Sequence, residues 1–175
     1  MTRTIPDCDL IDDSPNLVRP ISITVDGSHG EATARRLVRA AQLLYTFWHT
    51  GEESHLERAV DETFRDNTLP PGRPQGLAGP RSASTAFRGA VPDLTCTIDD
   101  LLVAGNKIAV RLRFRGHFTG AMDGIAGTGQ EVDFIAFDIQ HVGAGERAGK
   151  IVEDWHLEDN LTFLTQVGLV RRVQS

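Results

Sequence analysis

The stretch that decides the fold is Val132–Glu158, whose sequence is VDFIAFDIQHVGAGERAGKIVEDWHLE. Its first part, Val132–Val142, is apolar at positions of both parities, which is typical of a strand inside a sheet. Its last part, Lys150–Glu158, is also a strand, and the glycine-rich segment Gly143–Gly149 connects the two. The stretch therefore predicts a long antiparallel hairpin.

The register of this hairpin follows if Asp138 lies opposite His156, which also places Val142 opposite Val152. Side chains then alternate between two faces. The apolar face carries Ile135, Phe137, Ile139, Trp155 and Leu157, and the other carries Ala136, Asp138, Gln140, Asp154 and His156.

The pairing of Asp138 with His156 has a possible chemical use. Directly opposed residues have Cβ atoms roughly 4.5–5.5 Å apart, so the carboxylate can accept a hydrogen bond from the imidazole. Such a bond fixes the imidazole tautomer and raises its basicity, which suits proton transfer near neutral pH. The same spacing also fits a solvated pair that stabilises the sheet by only a few tenths of a kcal/mol.

Two further strands precede the hairpin. Leu94–Leu102 is the first, and the second begins at Ile108 and alternates apolar residues with Arg111, Arg113 and Arg115. The glycine-rich segment Gly116–Gly129 follows. Because it leads into a strand and not into a helix, we interpret it as a connection and not as a phosphate site.

The first half of the chain predicts helices. Apolar residues recur at helical spacing from Glu31 until Gly51, and a second helix starts at Ser54 and extends through Phe64. A third helix covers Ser82–Gly89. Between them, the proline- and glycine-rich stretch Asn67–Pro80 is a long loop, and such loops often act as lids.

The two ends complete the organisation. We interpret Met1–Arg19 as a flexible arm and Ile21–Val25 as a short strand, with a disordered leader as the alternative. A short amphipathic helix, Asn160–Leu169, closes the chain. The sequence thus predicts an N-terminal arm over residues 1–30, partly disordered, and one α+β domain over residues 31–175.

The amino-acid composition restricts the kinds of partner that we expect the protein to bind. A chain of 175 residues with 40% hydrophobic and 24% charged residues fits one folded domain. The net charge of −6 argues against nucleic acid, because phosphate contacts need a basic surface. We expect no membrane segment and no signal peptide, hence a cytoplasmic protein. The two cysteines, Cys8 and Cys96, lack a metal-binding spacing, so we expect no metal.

Seven short motifs together carry a family resemblance. They are FWHTG at Phe47–Gly51, VPDL at Val91–Leu94, IDDL at Ile98–Leu101, GHFTG at Gly116–Gly120, FDI at Phe137–Ile139, GKIVEDWH at Gly149–His156 and QVG at Gln166–Gly168. In this order and spacing, Glu31–Leu169 resembles the SnoaL-like polyketide cyclases, also called ester cyclases.

The resemblance implies the fold of the nuclear transport factor 2 and ketosteroid isomerase superfamily. In that fold a curved antiparallel sheet and three helices form a cone around an apolar cavity, and a homodimer is the default. Characterised cyclases of the family close a ring by intramolecular aldol condensation without a cofactor. Their acid–base groups are a His on the penultimate strand and an Asp on the last. Here Asp138 and His156 occupy these positions, with the residue types exchanged.

These expectations give a first hypothesis: an enzyme that abstracts a proton α to a carbonyl of a bulky, mostly apolar compound. His156 is the base, Asp138 orients it, and His117 or Asn67 stabilises the enolate oxygen. The expected cavity walls are Trp48, Phe64, Phe87, Phe118, Phe134 and Trp155. The alternatives are a hydratase or isomerase, a small-molecule binding protein without chemistry, and an interaction protein that fills its own cavity.

Overall fold

The computed structural model describes residues 10–171. Its helices are α1 (Glu31–Thr50), α2 (Glu53–Ala59), α3 (Ala78–Ala90) and α4 (Asn160–Gln166). Its strands are β1 (Ser22–Val25), β2 (Val60–Asp66), β3 (Thr95–Ala104), β4 (Lys107–Phe118), β5 (Ala121–Met122), β6 (Ile125–Ala126), β7 (Gln130–Val142) and β8 (Ile151–Glu158).

Six strands form one curved sheet in the order β1-β3-β4-β7-β8-β2, and β5 and β6 form a separate small hairpin. The predicted α+β fold, with three N-terminal helices and a short C-terminal one, is confirmed. The sheet is mixed and not wholly antiparallel, because β1 runs parallel to β3 and β2 runs parallel to β8. A long stretch of chain that includes α3 separates each of these edge strands from its partner, and parallel pairs require such long connections.

The central hairpin has the predicted register over most of its length. Asp138 lies opposite His156, and β7 has a strand on each side, as its apolar pattern predicts. The predicted pairing of Val142 with Val152 is wrong, since an irregularity after His141 places Val142 opposite Ile151. The shift lies next to the loop and leaves the faces of the functional stretch unchanged.

The second helix is shorter than predicted. It ends at Ala59, and the chain from Val60 to Asp66 is a strand. Two apolar residues four positions apart, Val60 and Phe64, fit a helix as well as a strand. The free edge of β8 decides between the two, because it offers hydrogen-bond partners to an extended segment along this edge.

Residues 10–19, which belong to the predicted arm, lie against α1. The side chain of Gln42 accepts a hydrogen bond from the backbone N–H of Asp12 and donates to the carbonyl oxygens of Asp12 and Val18. The hydroxyl of Thr46 accepts from the N–H of Val18. The rest of the predicted arm, residues 1–9, lies outside the described residues.

The helices cover one face of the sheet, and the main core lies between them. Its largest fully buried side chains include Tyr45, Phe47, Leu112, Phe118 and Phe163. None of the helices within residues 10–171 combines the length and the hydropathy that crossing a bilayer requires.

Candidate functional site

A cavity opens between the inner face of the sheet and the helices. Its apolar walls are Leu44, Trp48, Val60, Phe64, Ala83, Phe87, Leu94, Leu112, Phe114, Phe134 and Ala136. Ionisable side chains also line it: Asp66, Arg73, Asp138, Asp154, His156 and Glu158. The cavity therefore joins an apolar chamber to a group of charged side chains.

Aromatic rings pack in sequence along the apolar wall. Trp48 meets Phe114 edge-on at a centroid distance of 6.2 Å, and Phe114 stacks on Phe134 at 5.2 Å. Phe87 then stacks on the same Phe134 at 6.1 Å. Such a run of rings offers large apolar area with fixed shape, which suits a ligand with flat, apolar parts.

His156 is held between two carboxylates. Its Nδ1 lies 2.7 Å from Glu158 Oε1, and its Nε2 lies 3.1 Å from Asp66 Oδ2. Burial opposes a positive charge on His156, but the bonds with Glu158 and Asp66 outweigh it and raise its pKa to about 10. At neutral pH the ring is therefore an imidazolium whose two N–H groups both donate to carboxylates.

Asp138 has a different partner. It is 8% exposed, and its Oδ2 accepts a hydrogen bond of 2.7 Å from the Tyr45 hydroxyl. The Gln140 amide donates in turn to the Tyr45 oxygen at 2.6 Å. Burial raises the pKa of Asp138 to about 6, against the lowering effects of Tyr45 and of the His156 charge. Asp138 is thus a carboxylate at neutral pH that gains a proton under mildly acidic conditions.

Asp154 lies two residues before His156 on the same face of β8, and it is 9% exposed. Burial raises its pKa to about 8, and the neighbouring Asp66 adds to the shift. Its Oδ1 is buried and has no hydrogen-bond partner among the described residues. At neutral pH this side chain is mostly a neutral carboxylic acid.

The loop between β2 and α3 ties the charged residues together. Gln75 accepts a hydrogen bond from the N–H of Asp66 and donates to its carbonyl oxygen, at 3.0 and 2.7 Å. The hydroxyl of Thr68 accepts from the N–H of His156 at 2.9 Å. The proline- and glycine-rich loop is therefore anchored directly beside His156.

The structure brings Asp138 and His156 to one cavity but does not join them. No hydrogen bond links the two side chains in residues 10–171, so the expectation that Asp138 orients His156 is not met. Their side chains leave the same face, yet closer partners take up both: Tyr45 for Asp138, and Glu158 with Asp66 for His156.

The two residues predicted to stabilise an enolate oxygen do not line the cavity. His117 lies at the exposed end of β4, where its Nδ1 is 2.7 Å from Asp93. Asn67 instead donates its amide to the carbonyl oxygen of Asp154. Each side chain has a nearer polar partner that turns it away from the chamber.

Four of the six predicted wall residues line the cavity: Trp48, Phe64, Phe87 and Phe134. The other two do not. Phe118 is fully buried in the core away from the chamber. Trp155 lies on the outer face of the sheet, 39% exposed, because it alternates with Asp154 and His156.

Sequence reasoning missed Tyr45, Asp66, Asp154 and Glu158 as site residues. Glu158 carries a signal, since two residues after His156 on a strand means the same face. Tyr45 is hidden in the apolar face of α1, and Asp66 lies beyond a stretch that the sequence analysis assigns to a helix. Within residues 10–171, no group of three or more His, Cys, Asp or Glu side chains is arranged to hold a metal ion.

The chain and its fold are similar to those of known proteins. The family model of the SnoaL-like polyketide cyclases matches residues 38–167. A candidate polyketide cyclase from Bacillus cereus ATCC 10987 is 44% identical over 89% of this chain and 95% of its own, with a TM-score of 0.79.

Two Streptomyces structures are also similar. TsrD from Streptomyces laurentii is 25% identical over 82% of this chain and 100% of its own, with a TM-score of 0.67. IdmH from Streptomyces antibioticus, a candidate polyketide cyclase, is 25% identical over 75% and 98%, with a TM-score of 0.66. No curated protein matches the chain.

Proposed function

Since the chain belongs to the SnoaL-like polyketide cyclase family, we propose that it is a cofactor-independent acid–base enzyme. Its substrate is a bulky, mostly apolar carbonyl compound of polyketide type, and its reaction is an aldol-type ring closure or a related step that starts with proton abstraction. The observation that carries the proposal is a buried carboxylate and a half-buried imidazolium in one aromatic cavity. These are the two charges that enolate chemistry needs.

Asp138 is the base in this proposal. Its carboxylate faces the chamber, and burial keeps its pKa close enough to neutrality for efficient proton transfer. It takes a proton from the carbon next to the substrate carbonyl, and the electron pair of that C–H bond moves to the carbonyl oxygen. In a ring closure, the resulting enolate carbon forms a C–C bond with a second carbonyl carbon of the same molecule, whose oxygen then gains a proton.

His156 has the complementary role. Because both ring nitrogens donate to carboxylates and its pKa is raised to about 10, it has no free lone pair with which to act as the base. Its positive charge favours an ionised Asp138 before the reaction and an enolate during it. The proposal thus reverses the roles that the sequence alone suggests for these two residues.

Turnover of aromatic polyketide esters by the wild type and by Asp138→Asn tests the proposal. Asparagine keeps an acceptor for Tyr45 but cannot take a proton, so we expect kcat to fall by about 10²–10⁴-fold. Asp93→Asn is the matched control, because Asp93 pairs with His117 at the exposed end of β4, outside the cavity lining, and should leave turnover unchanged.

Full activity in Asp138→Asn would exclude Asp138 as the base. Ligands that bind in the cavity and are released unchanged, at every pH and for every ester offered, would instead support the binding-protein alternative.

A homodimer is the second part of the proposal. The outer face of β7 and β8 exposes the apolar residues Ile135, Phe137, Ile139, Trp155 and Leu157. Phe137 pairs directly with Leu157 and Ile139 with Trp155, and Ile135 lies next to Phe137 on the same face of β7, so the five form one continuous patch. Contiguous exposed apolar patches mark contact surfaces, which supports a second copy of the chain as the partner.

A further inference from the structure

Within residues 10–171, Asp154 is the one carboxyl of the cavity with a buried oxygen that has no hydrogen-bond partner. Its Oδ1 is fully enclosed and receives no hydrogen bond from residues 10–171. Asp138 receives one from Tyr45, and Glu158 receives one from His156. An ionised carboxylate in this position would be buried with an unsatisfied oxygen, which is among the costliest arrangements in a protein.

The charges around Asp154 make ionisation still less favourable. Three carboxyl groups surround it: Asp66 from β2, Asp138 from β7 and Glu158 from β8. The nearby cation, His156, has both nitrogens bonded to Glu158 and Asp66. From the loop, Arg73 acts on Glu158. The His156 charge favours the ionised form of Asp154, but burial and the charge of Asp66 outweigh it and raise the pKa of Asp154.

We propose that Asp154 enters the reaction as a neutral carboxylic acid and donates its proton to the substrate oxygen on which negative charge develops. This inference rests on the proposed function, since it assigns a further catalytic residue to the same site. A carboxyl group that an apolar site keeps neutral can donate a strong hydrogen bond to an oxyanion.

Protons balance in this reaction because Asp138 starts as a carboxylate and Asp154 starts as a neutral carboxylic acid. Asp138 gains the proton that leaves the substrate carbon, and Asp154 loses its proton to the alkoxide that forms when the ring closes. The site therefore ends with one proton on Asp138 and none on Asp154. Exchange with solvent after product release restores the starting state, and no oxidant, reductant or cofactor takes part.

In the ligand-free protein, the amide oxygen of Gln140 is a candidate acceptor for a hydrogen bond from the protonated Asp154 carboxyl group. The two residues are directly paired across β7 and β8, so both side chains leave the same face. The Gln140 Oε1 is buried and, like Asp154 Oδ1, has no partner among the described residues. A proton on Asp154 that is donated to Gln140 would satisfy both of these acceptors.

The charge state of Asp154 can be measured without any substrate. Carboxyl carbons of aspartate, followed by ¹³C NMR against pH, are assigned by comparing the wild type with Asp154→Asn. We expect the signal that this variant removes to titrate near pH 8. Asp138→Asn is the control, because it should retain that signal. A midpoint below about 5, in the ordinary range of aspartate, would overturn the inference.

A pair of ligands tests the donation itself. The ligands 2-naphthol and naphthalene differ by one hydroxyl oxygen, so the ratio of their dissociation constants isolates the contact to that oxygen. We expect Asp154→Leu to reduce the preference for 2-naphthol by about tenfold, the value of one strong hydrogen bond. Asp154→Asn retains an N–H donor and should keep the preference within about threefold.

The outcomes separate the two proposals. An equal preference in all three proteins would overturn the role of Asp154, even if the cavity binds both ligands. Failure of both ligands to bind the wild type would count against the proposed substrate class. The NMR titration would in that case still decide whether Asp154 carries a proton, and an ordinary midpoint would overturn the inference independently.

Discussion

At the scale of single residues, burial acts on three ionisable groups of one cavity with three different results. Asp138 is buried beside a neutral donor, Tyr45, and stays within reach of both charge states near pH 6. Asp154 is buried beside other carboxyls and is neutral at pH 7. His156 is half-buried between two carboxylates and is charged. The partner, more than the depth of burial, decides which form each group adopts.

The raised pKa of Asp138 predicts a specific dependence of stability on pH. Its folded-state pKa, about 6, lies above the ordinary aspartate pKa of 3.8, so ionisation costs the folded state free energy. The stability that protonated Asp138 contributes is fully present below the pKa of the unfolded state. It is lost as the pH rises through the pKa of the folded state. Asp138→Asn has no carboxyl group to ionise, so it does not lose this stability as the pH rises. Its unfolding free energy relative to that of the wild type should therefore increase by on the order of 2 kcal/mol between pH 4 and pH 7.

Urea unfolding of both proteins at the two pH values measures this difference. Asp93→Asn serves as the control with the opposite sign. Asp93 has a lowered pKa because His117 bonds to it, so its contribution is present at pH 7 and is lost at acidic pH. The control effect should be small, because the pair is exposed. A pH-independent difference between Asp138→Asn and the wild type would contradict the shift.

At the scale of the elements, α1 has two functions on two faces. Its apolar face packs on the sheet and supplies Leu44 and Trp48 to the cavity. Its buried polar side chains, Gln42 and Thr46, instead bond the backbone of residues 12–18. Gln42 is 0% exposed. A buried glutamine is unusual unless both the oxygen and the nitrogen of its amide are hydrogen-bonded, as those of Gln42 are.

Replacement of Gln42 tests this attachment. In Gln42→Leu, the Asp12 N–H and the Val18 carbonyl oxygen lose their partner, and each unsatisfied buried group costs about 1–3 kcal/mol. We expect the segment to detach, which hydrogen exchange of residues 10–18 would show as faster exchange confined to that region. Arg39→Ala is the control, since it removes only a surface ion pair with Asp12 worth less than about 1 kcal/mol. Unchanged protection in Gln42→Leu would show that other contacts hold the segment.

At the scale of the whole molecule, the sheet has two faces with different surroundings. The inner face carries the cavity and is covered by helices. The outer face of β7 and β8 exposes Phe137 at 48% and Leu157 at 72%, and none of the helices described between residues 10 and 171 covers them. Because these side chains come from the same strands as Asp138 and His156, a contact on the outer face would brace the strands that carry the site.

The dimer proposal can be tested by the mass of the protein in solution. We expect the wild type to elute as a dimer in size-exclusion chromatography with light scattering, and Phe137→Glu to elute as a monomer. The charge would lie in the middle of an apolar interface, where burial is costly. Leu161→Glu is the control, because Leu161 is equally apolar and exposed but lies on α4. A monomeric wild type, or a dimeric Phe137→Glu, would contradict the proposal.

The sequence by itself determines the long strands of the sheet and the alternation along Lys150–Glu158. The predicted register with Asp138 opposite His156 is the one that the structure has. Because Val132–Val142 is apolar at positions of both parities, the pattern alone does not exclude a slip by one residue, and burial of the inner face under the helices fixes the pairing. The alternation of side chains along Lys150–Glu158 also predicts that Trp155 lies on the face opposite to Asp154 and His156, which is the outer face.

The tertiary structure alone decides what the site residues bond to. His156 pairs with Asp66, which lies ninety positions earlier in the sequence, and Asp138 pairs with Tyr45 from the first helix. It also decides that Val60 to Asp66 is a strand, because the edge of β8 supplies the missing hydrogen-bond partners. Local patterns fix direction and face, whereas charge state depends on the groups that the fold brings close in space. The sequence therefore points to the residues of the site, and only the assembled cavity determines which of them hold a proton.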